Sequence, residues 1–159
     1  MRRLALPIVL LLVLTLPAMA VAQGKTAHAF KAVLEGSFTF VEDHAYGLGV
    51  ARGTGQGLGQ TELFCFQQSQ PDMVPILTHF FLVAANGDRI IGTYEGGRTT
   101  ITGPASALFE ATFQITGGTG RFAQATGELQ GKIYLTVPGG NWMGVEYGAV
   151  WTFEGWIKY

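Results

Sequence analysis

The sequence predicts an all-β chain closed into an antiparallel eight-stranded barrel, and three observations predict it. Twenty-three glycines punctuate a chain that holds no sustained helical period. About eight runs alternate their side chains with a period of two, at the spacing of a meander. The last run, Tyr147 to Tyr159, carries Trp151, Phe153, Trp156 and Ile157. As a free edge it would recruit another chain, and pairing it with the first run removes that edge. Eight strands also close a sheet whose interior is either just filled by side chains or able to hold one small ligand. A two-sheet sandwich is the alternative arrangement.

The first 22 residues read as a secretory leader. Arg2 and Arg3 precede an apolar run from Leu4 to Leu16, broken by Pro7 and followed by Pro17. Small residues then offer cleavage after Ala20 or, the preferred site, after Ala22. An uncleaved anchor is the alternative, but the run is shorter than the ~20 residues of a spanning helix. Residues 23–30 are expected to be a flexible lead, and residues 31–159 a single domain. The product is thus expected to be secreted or periplasmic, with no membrane contact in its mature form.

Within the domain, Val33 to Val41 sets Leu34, Phe38 and Phe40 against Glu35, Ser37 and Thr39, the pattern of a half-buried strand. A turn follows over Glu42 to Gly47. Leu48 to Gly59 places glycine at nearly every second position, so one face of that strand is bare backbone that allows close approach or a barrel corner. A phosphate-cradling loop is the rival reading, disfavoured because neither a strand-to-helix context nor a lysine-threonine pair follows. Thr61 to Gln68 is the next strand, Ser69 to Pro75 a loop with two prolines, and Leu77 to Ala85 a strand apolar on both faces. Asn86-Gly87-Asp88 makes a tight hairpin to Arg89–Glu95. Gly96 to Ala107, with Arg98, Gly103 and Pro104, reads as a loop. Two further strands lie within Phe109–Val137, joined at Gly117-Gly118-Thr119-Gly120-Arg121-Phe122, and Pro138-Gly139-Gly140-Asn141 turns the chain into the last strand.

Composition narrows the function. Removing Arg2 and Arg3 with the leader leaves 8 basic against 11 acidic residues, a formal charge of −3. With the basic residues scattered, nucleic acid is excluded as a partner. A chain that is 48% hydrophobic and 13% charged points to apolar surface that either lines a cavity or is covered by another subunit, in the second case a homo-oligomer, dimer or trimer. The lone Cys65 leaves no internal disulfide, and between Phe64 and Phe66 it reads as a buried, inert thiol.

The string ITGGTGRFAQATGELQG, with AANGDRIIGTYEG before it and FEGWIKY after it, resembles the allene oxide cyclase-like barrel proteins of bacteria. Over GGTGRF, Ala125 and Gly127 it is also similar to the plant dirigent proteins. The resemblance is specific from Asn86 to Gly131. It implies an eight-stranded barrel, often trimeric, that works without metal or organic cofactor. It also implies a mechanism of confinement, in which an apolar cavity holds a reactive molecule in one folded shape while it cyclises or couples. The GGTGRF string enters as a fold signature. Gly117, Gly118 and Gly120 permit a turn, Thr119 can bond the local backbone, Phe122 can plug one barrel end, and Arg121 can pair with Glu95 or Asp88.

Polar groups on otherwise apolar strands are the candidates for chemistry. His79, Glu62, Glu95 and Glu154 would act as acid or base if they faced an apolar interior, since burial disfavours a carboxylate's charged form. If they face solvent they do nothing of the kind, and alternation alone does not say which face is outside. Tyr134, Trp151, Phe81 and Phe113 are the candidate ligand-stacking residues, with core filling as their other use. No histidine pair has metal-ligand spacing and no Gly-x-Ser-x-Gly turn is present. Three readings follow: a barrel that binds and cyclises or couples a hydrophobic small molecule, a carrier with the same pocket and no chemistry, and an interaction protein with a filled barrel.

Overall fold

The computed structural model describes residues 26–41, 45–70, 75–140 and 146–159. The expected leader, together with His44 and Trp142, lies outside the described residues. Nine strands are present among those described: β1 (Ala27–Val41), β2 (Tyr46–Gly55), β3 (Gly59–Ser69), β4 (Pro75–Val83), β5 (Arg89–Tyr94), β6 (Arg98–Gly103), β7 (Ser106–Gly118), β8 (Thr126–Thr136) and β9 (Glu146–Lys158). Every pairing is antiparallel, and the order runs β5-β4-β3-β2-β1-β9-β8-β7, with β5 meeting β7 to close the ring. The predicted eight-stranded barrel is therefore present and the sandwich is not. Its last strand zips along its first over thirteen residue pairs, from Ala27 opposite Lys158 to Thr39 opposite Glu146.

Two boundaries differ from expectation. β1 begins at Ala27, so part of the expected flexible lead belongs to the sheet. β9 runs on to Lys158, and residues 27–30 supply its pairing partner while Phe30 is buried. The expected loop over Gly96–Ala107 contains β6, which forms a hairpin with the start of β7. β5 and β6 lie end to end along one edge of β7: Ile90–Thr93 faces Gln114–Gly118, and Arg98–Gly103 faces Ser106–Glu110. β6 is the extra strand, and all but two of its residues are exposed.

Inward side chains fill the barrel unevenly. At one end Phe30, Leu58, Phe122, Ala125 and Ile157 are all buried and plug it. Next comes a layer containing Leu34, Leu63, Leu82, Leu129 and an aromatic cluster. Within that cluster Phe113 meets Phe80 edge-on at 5.3 Å and Phe153 edge-on at 5.0 Å. Such T-shaped contacts suit the ring quadrupoles. The glycine-bare face of β2 turns out to face inward: a Cβ on Gly49 would lie 2.7 Å from the Trp151 ring, and one on Gly47 would collide with Phe38. Glycine there makes room for large rings from β1 and β9, and that space is occupied.

The outer surface carries an apolar stripe. Val50, Phe64, Phe81 and Ile91 form one cross-strand row over β2, β3, β4 and β5, with Val50 48% and Phe64 45% exposed. Leu48 and Phe66, both exposed, make a second row beside it, and Tyr46 stacks on Phe66 at 6.0 Å.

Candidate functional site

Toward the other end of the barrel the described residues enclose a cavity of about 340 Å³, lined by Phe38, Phe40, Gln67, Thr99, Ile101, Ala107, Phe109, Ile133, Leu135 and Tyr147. Alternation explains the set. Phe38 and Phe40 continue the inward row of Leu34 on β1; Ala107 and Phe109 continue that of Phe113 on β7; Ile133 and Leu135 that of Leu129 on β8; Tyr147 that of Trp151 on β9. β6 supplies Thr99 and Ile101 as the cavity's outer lip. The walls touch ring to ring, Phe38 with Phe40 at 4.9 Å and Phe40 edge-on to Tyr147 at 5.5 Å.

One side of this apolar mouth is polar. Gln67 on β3 pairs across the sheet with Thr78 on β4, which pairs with Tyr94 on β5. All three point inward and are buried. The Tyr94 hydroxyl donates to Gln67 Oε1 at 2.8 Å, and Gln67 Nε2 donates to Ser69 Oγ at 2.6 Å. Thr78 Oγ1 and Trp151 Nε1 are buried without a hydrogen-bond partner among the described residues. Burial pushes the Cys65 thiol up to about 12, its contact with Tyr94 pulling slightly the other way. Burial likewise pushes the Tyr94 phenol well above its usual value, and the neighbouring thiol adds to the rise. Both groups stay neutral at physiological pH, so they can hydrogen-bond but cannot act there as bases. Cys65 is buried, matching its reading as an inert thiol.

The acid–base candidates are elsewhere. His79 is exposed on the outer face, beside Phe66 at the margin of the apolar stripe. Glu62 pairs with Arg52 at 3.0 Å and Glu154 with Lys31 at 3.0 Å, both in water. Glu95 is exposed just beyond the end of β5. None of the four lines the cavity, because each sits at the opposite parity from a buried neighbour: Thr78 and Phe80, Leu63, Tyr94, Phe153. Of the stacking candidates, Trp151 and Phe113 are fully buried in the packed layer below the cavity, while Tyr134 and Phe81 point outward. Sequence reasoning missed Gln67. It shares the inward parity of Leu63 and Cys65, and it looked inconspicuous only because it carries no charge.

The GGTGRF segment closes the opposite end. Gly120 sits at φ 55° against the Asp88 carboxylate, where no side chain fits. Thr119 reaches beyond its own turn, its Oγ1 accepting from the Arg89 N–H at 3.0 Å. Arg121 donates to the Gly57 carbonyl and lies 3.9 Å from Asp88, not near Glu95. It thereby ties together the β2–β3, β4–β5 and β7–β8 connections. Phe122, buried as the plug, meets Tyr159 edge-on at 4.8 Å.

Among the described residues no group of three or more His, Cys, Asp and Glu side chains is arranged to hold a metal ion. Comparisons of the chain with protein-family models, with curated proteins and with solved structures give no match.

Proposed function

We propose that this chain is an exported barrel that binds a hydrophobic small molecule in the open half of its interior. The observation that supports this best is the cavity of about 340 Å³, walled by aromatic and aliphatic side chains around one polar strip. That is the constitution of a small-molecule site, at the lower end of the usual range of about 300–1,000 Å³. Binding without acid–base chemistry is the favoured form of the reading, since His79, Glu62, Glu95 and Glu154 stand outside. The resemblance to allene oxide cyclase-like and dirigent barrels adds the proposal that a reactive guest is held in one conformation, an effect that draws on shape alone. Export rests on the leader read in residues 1–22. A homo-oligomer rests on the apolar stripe outside.

The neutral dye N-phenyl-1-naphthylamine tests the pocket. One dye is expected to bind per chain, and Ala107→Phe, which grows a ring into the cavity from a buried position, should weaken binding at least tenfold while the circular dichroism stays that of a β-barrel. Dye affinity unchanged by Ala107→Phe would place the dye elsewhere and remove the reading. A wild-type protein that binds no dye and retains no ligand in native mass spectrometry would favour the filled barrel.

A further inference from the structure

The polar strip specifies what the guest looks like, given the reading of the cavity as a ligand site on which this inference rests. A side-chain amide offers two N–H donors and two acceptor lone pairs. In Gln67 one donor is used by Ser69 Oγ and one lone pair by the Tyr94 hydroxyl. Both partners are hydroxyls, able to donate or accept, so whichever way round the amide sits one N–H and one lone pair stay unclaimed among the described residues, on a side chain that lines the cavity and is 6% exposed. A polar group held that dry without partners is costly, by about 1–3 kcal/mol for each unmade bond. Beside it, Thr78 Oγ1 is buried next to the Tyr94 hydroxyl, near enough to lower that phenol's pKa but without a well-formed hydrogen bond among the described residues. Among the described residues, the other polar side chains in the lining are the Tyr147 phenol and Thr99, the latter exposed at the lip.

Charge is missing from the same wall. Among the described residues lining the cavity there is no Lys, Arg, His, Asp or Glu, so a carboxylate or ammonium carried against this wall would meet no counter-ion from it. An isolated ion in such a place costs far more than one hydrogen bond returns. Across from Gln67 the wall is Phe38, Phe40, Ile133 and Leu135, with the ring of Tyr147 between them, a surface that fits a hydrocarbon body.

We propose that the cavity selects a compact, neutral, apolar molecule bearing a hydroxyl or carbonyl oxygen, and that Gln67 determines this specificity by hydrogen-bonding that oxygen. The spare N–H serves a carbonyl, and the spare N–H with the spare lone pair serves a hydroxyl. Anionic lipids are rejected by the same wall that accepts neutral ones.

Three probes of one skeleton separate the possibilities: naphthalene, 2-naphthol and 2-naphthoate, titrated calorimetrically into the wild-type protein and into Gln67→Leu. At neutral pH 2-naphthol is expected to bind about tenfold or more tightly than naphthalene, and 2-naphthoate weaker than both. Gln67→Leu should abolish the preference for the naphthol and leave naphthalene affinity within about threefold. If naphthol and naphthalene bind equally, or the naphthoate binds best, the specificity proposal is overturned while the pocket stands. A preference that survives in Gln67→Leu removes Gln67 from the role. If none of the three binds, the pocket reading itself is lost. Should Gln67→Leu fail to fold, the wild-type ranking still decides the chemistry of the guest, and Gln67→Met takes its place for the residue.

Discussion

Single residues set the chemistry of this barrel through what they keep neutral. Cys65, pushed up to about 12 by burial, and Tyr94, raised well above its usual value by the same cause, hold protons in the folded chain that the unfolded chain releases. The sign follows directly. Below pH 9 both states keep the thiol proton and stability is unaffected; above it the unfolded state is favoured by ionising, so stability falls as pH rises toward 12. The expected slope is about 1.4 kcal/mol per pH unit from pH 9, steepening above pH 10 as the unfolded Tyr94 ionises. Urea midpoints measured between pH 7 and 11 check this, and Cys65→Ala should flatten the curve between pH 9 and 10. A wild-type curve that is level to pH 11 would show that the thiol is not desolvated. At this scale the sequence was legible where charge or context fixed the outcome, as with the inert Cys65 and the plug at Phe122. It misled where charge drew attention. Glu154 and Glu62 attract notice in apolar strands, yet each sits one step out of phase with the interior and finds an exposed basic partner, a contact worth little to stability.

Strands show which patterns a period of two can carry. β1, β3, β8 and β9 announce themselves by alternation and β4 by an apolar run between turn residues, and all five joined the ring as expected. β6 does not, because Arg98-Thr99-Thr100-Ile101-Thr102-Gly103 lacks an apolar face and is bounded by Gly96, Gly97 and Pro104; only its pairing with β7 makes it a strand. That is also why much of the candidate site was illegible, since β6 brings Thr99 and Ile101 to the cavity through a long-range contact that local propensity does not encode. The glycine run of β2 was legible as a bare face but not as to its purpose. The rings of Trp151 and Phe38 occupy the space that the missing side chains leave. Gly49→Val should accordingly force Trp151 out of place and destabilise the protein by about 1–3 kcal/mol, as overpacking does. The measurement is a lowered urea midpoint at unchanged slope. A variant as stable as the wild type would mean that the ring has room to move.

The whole molecule has a greasy exterior on one flank. The row of Val50, Phe64, Phe81 and Ile91 is uncharged and crosses four strands, so two copies related by a twofold axis can set like against like. The wild-type protein is expected to run as an oligomer in size-exclusion chromatography with light scattering, and Phe64→Glu to run as a monomer with its dye site intact. A monomeric wild type would show that this flank is simply tolerated by solvent. A second whole-molecule property follows from the stopper of Phe30, Leu58, Phe122 and Ile157 at the far end. Among the described residues the barrel is a cul-de-sac rather than a tunnel, so under the proposed reading any guest would come and go by one threshold. Traffic would then be strictly one at a time: a newcomer could not push a resident out from behind, and exchange would wait on the resident's own departure.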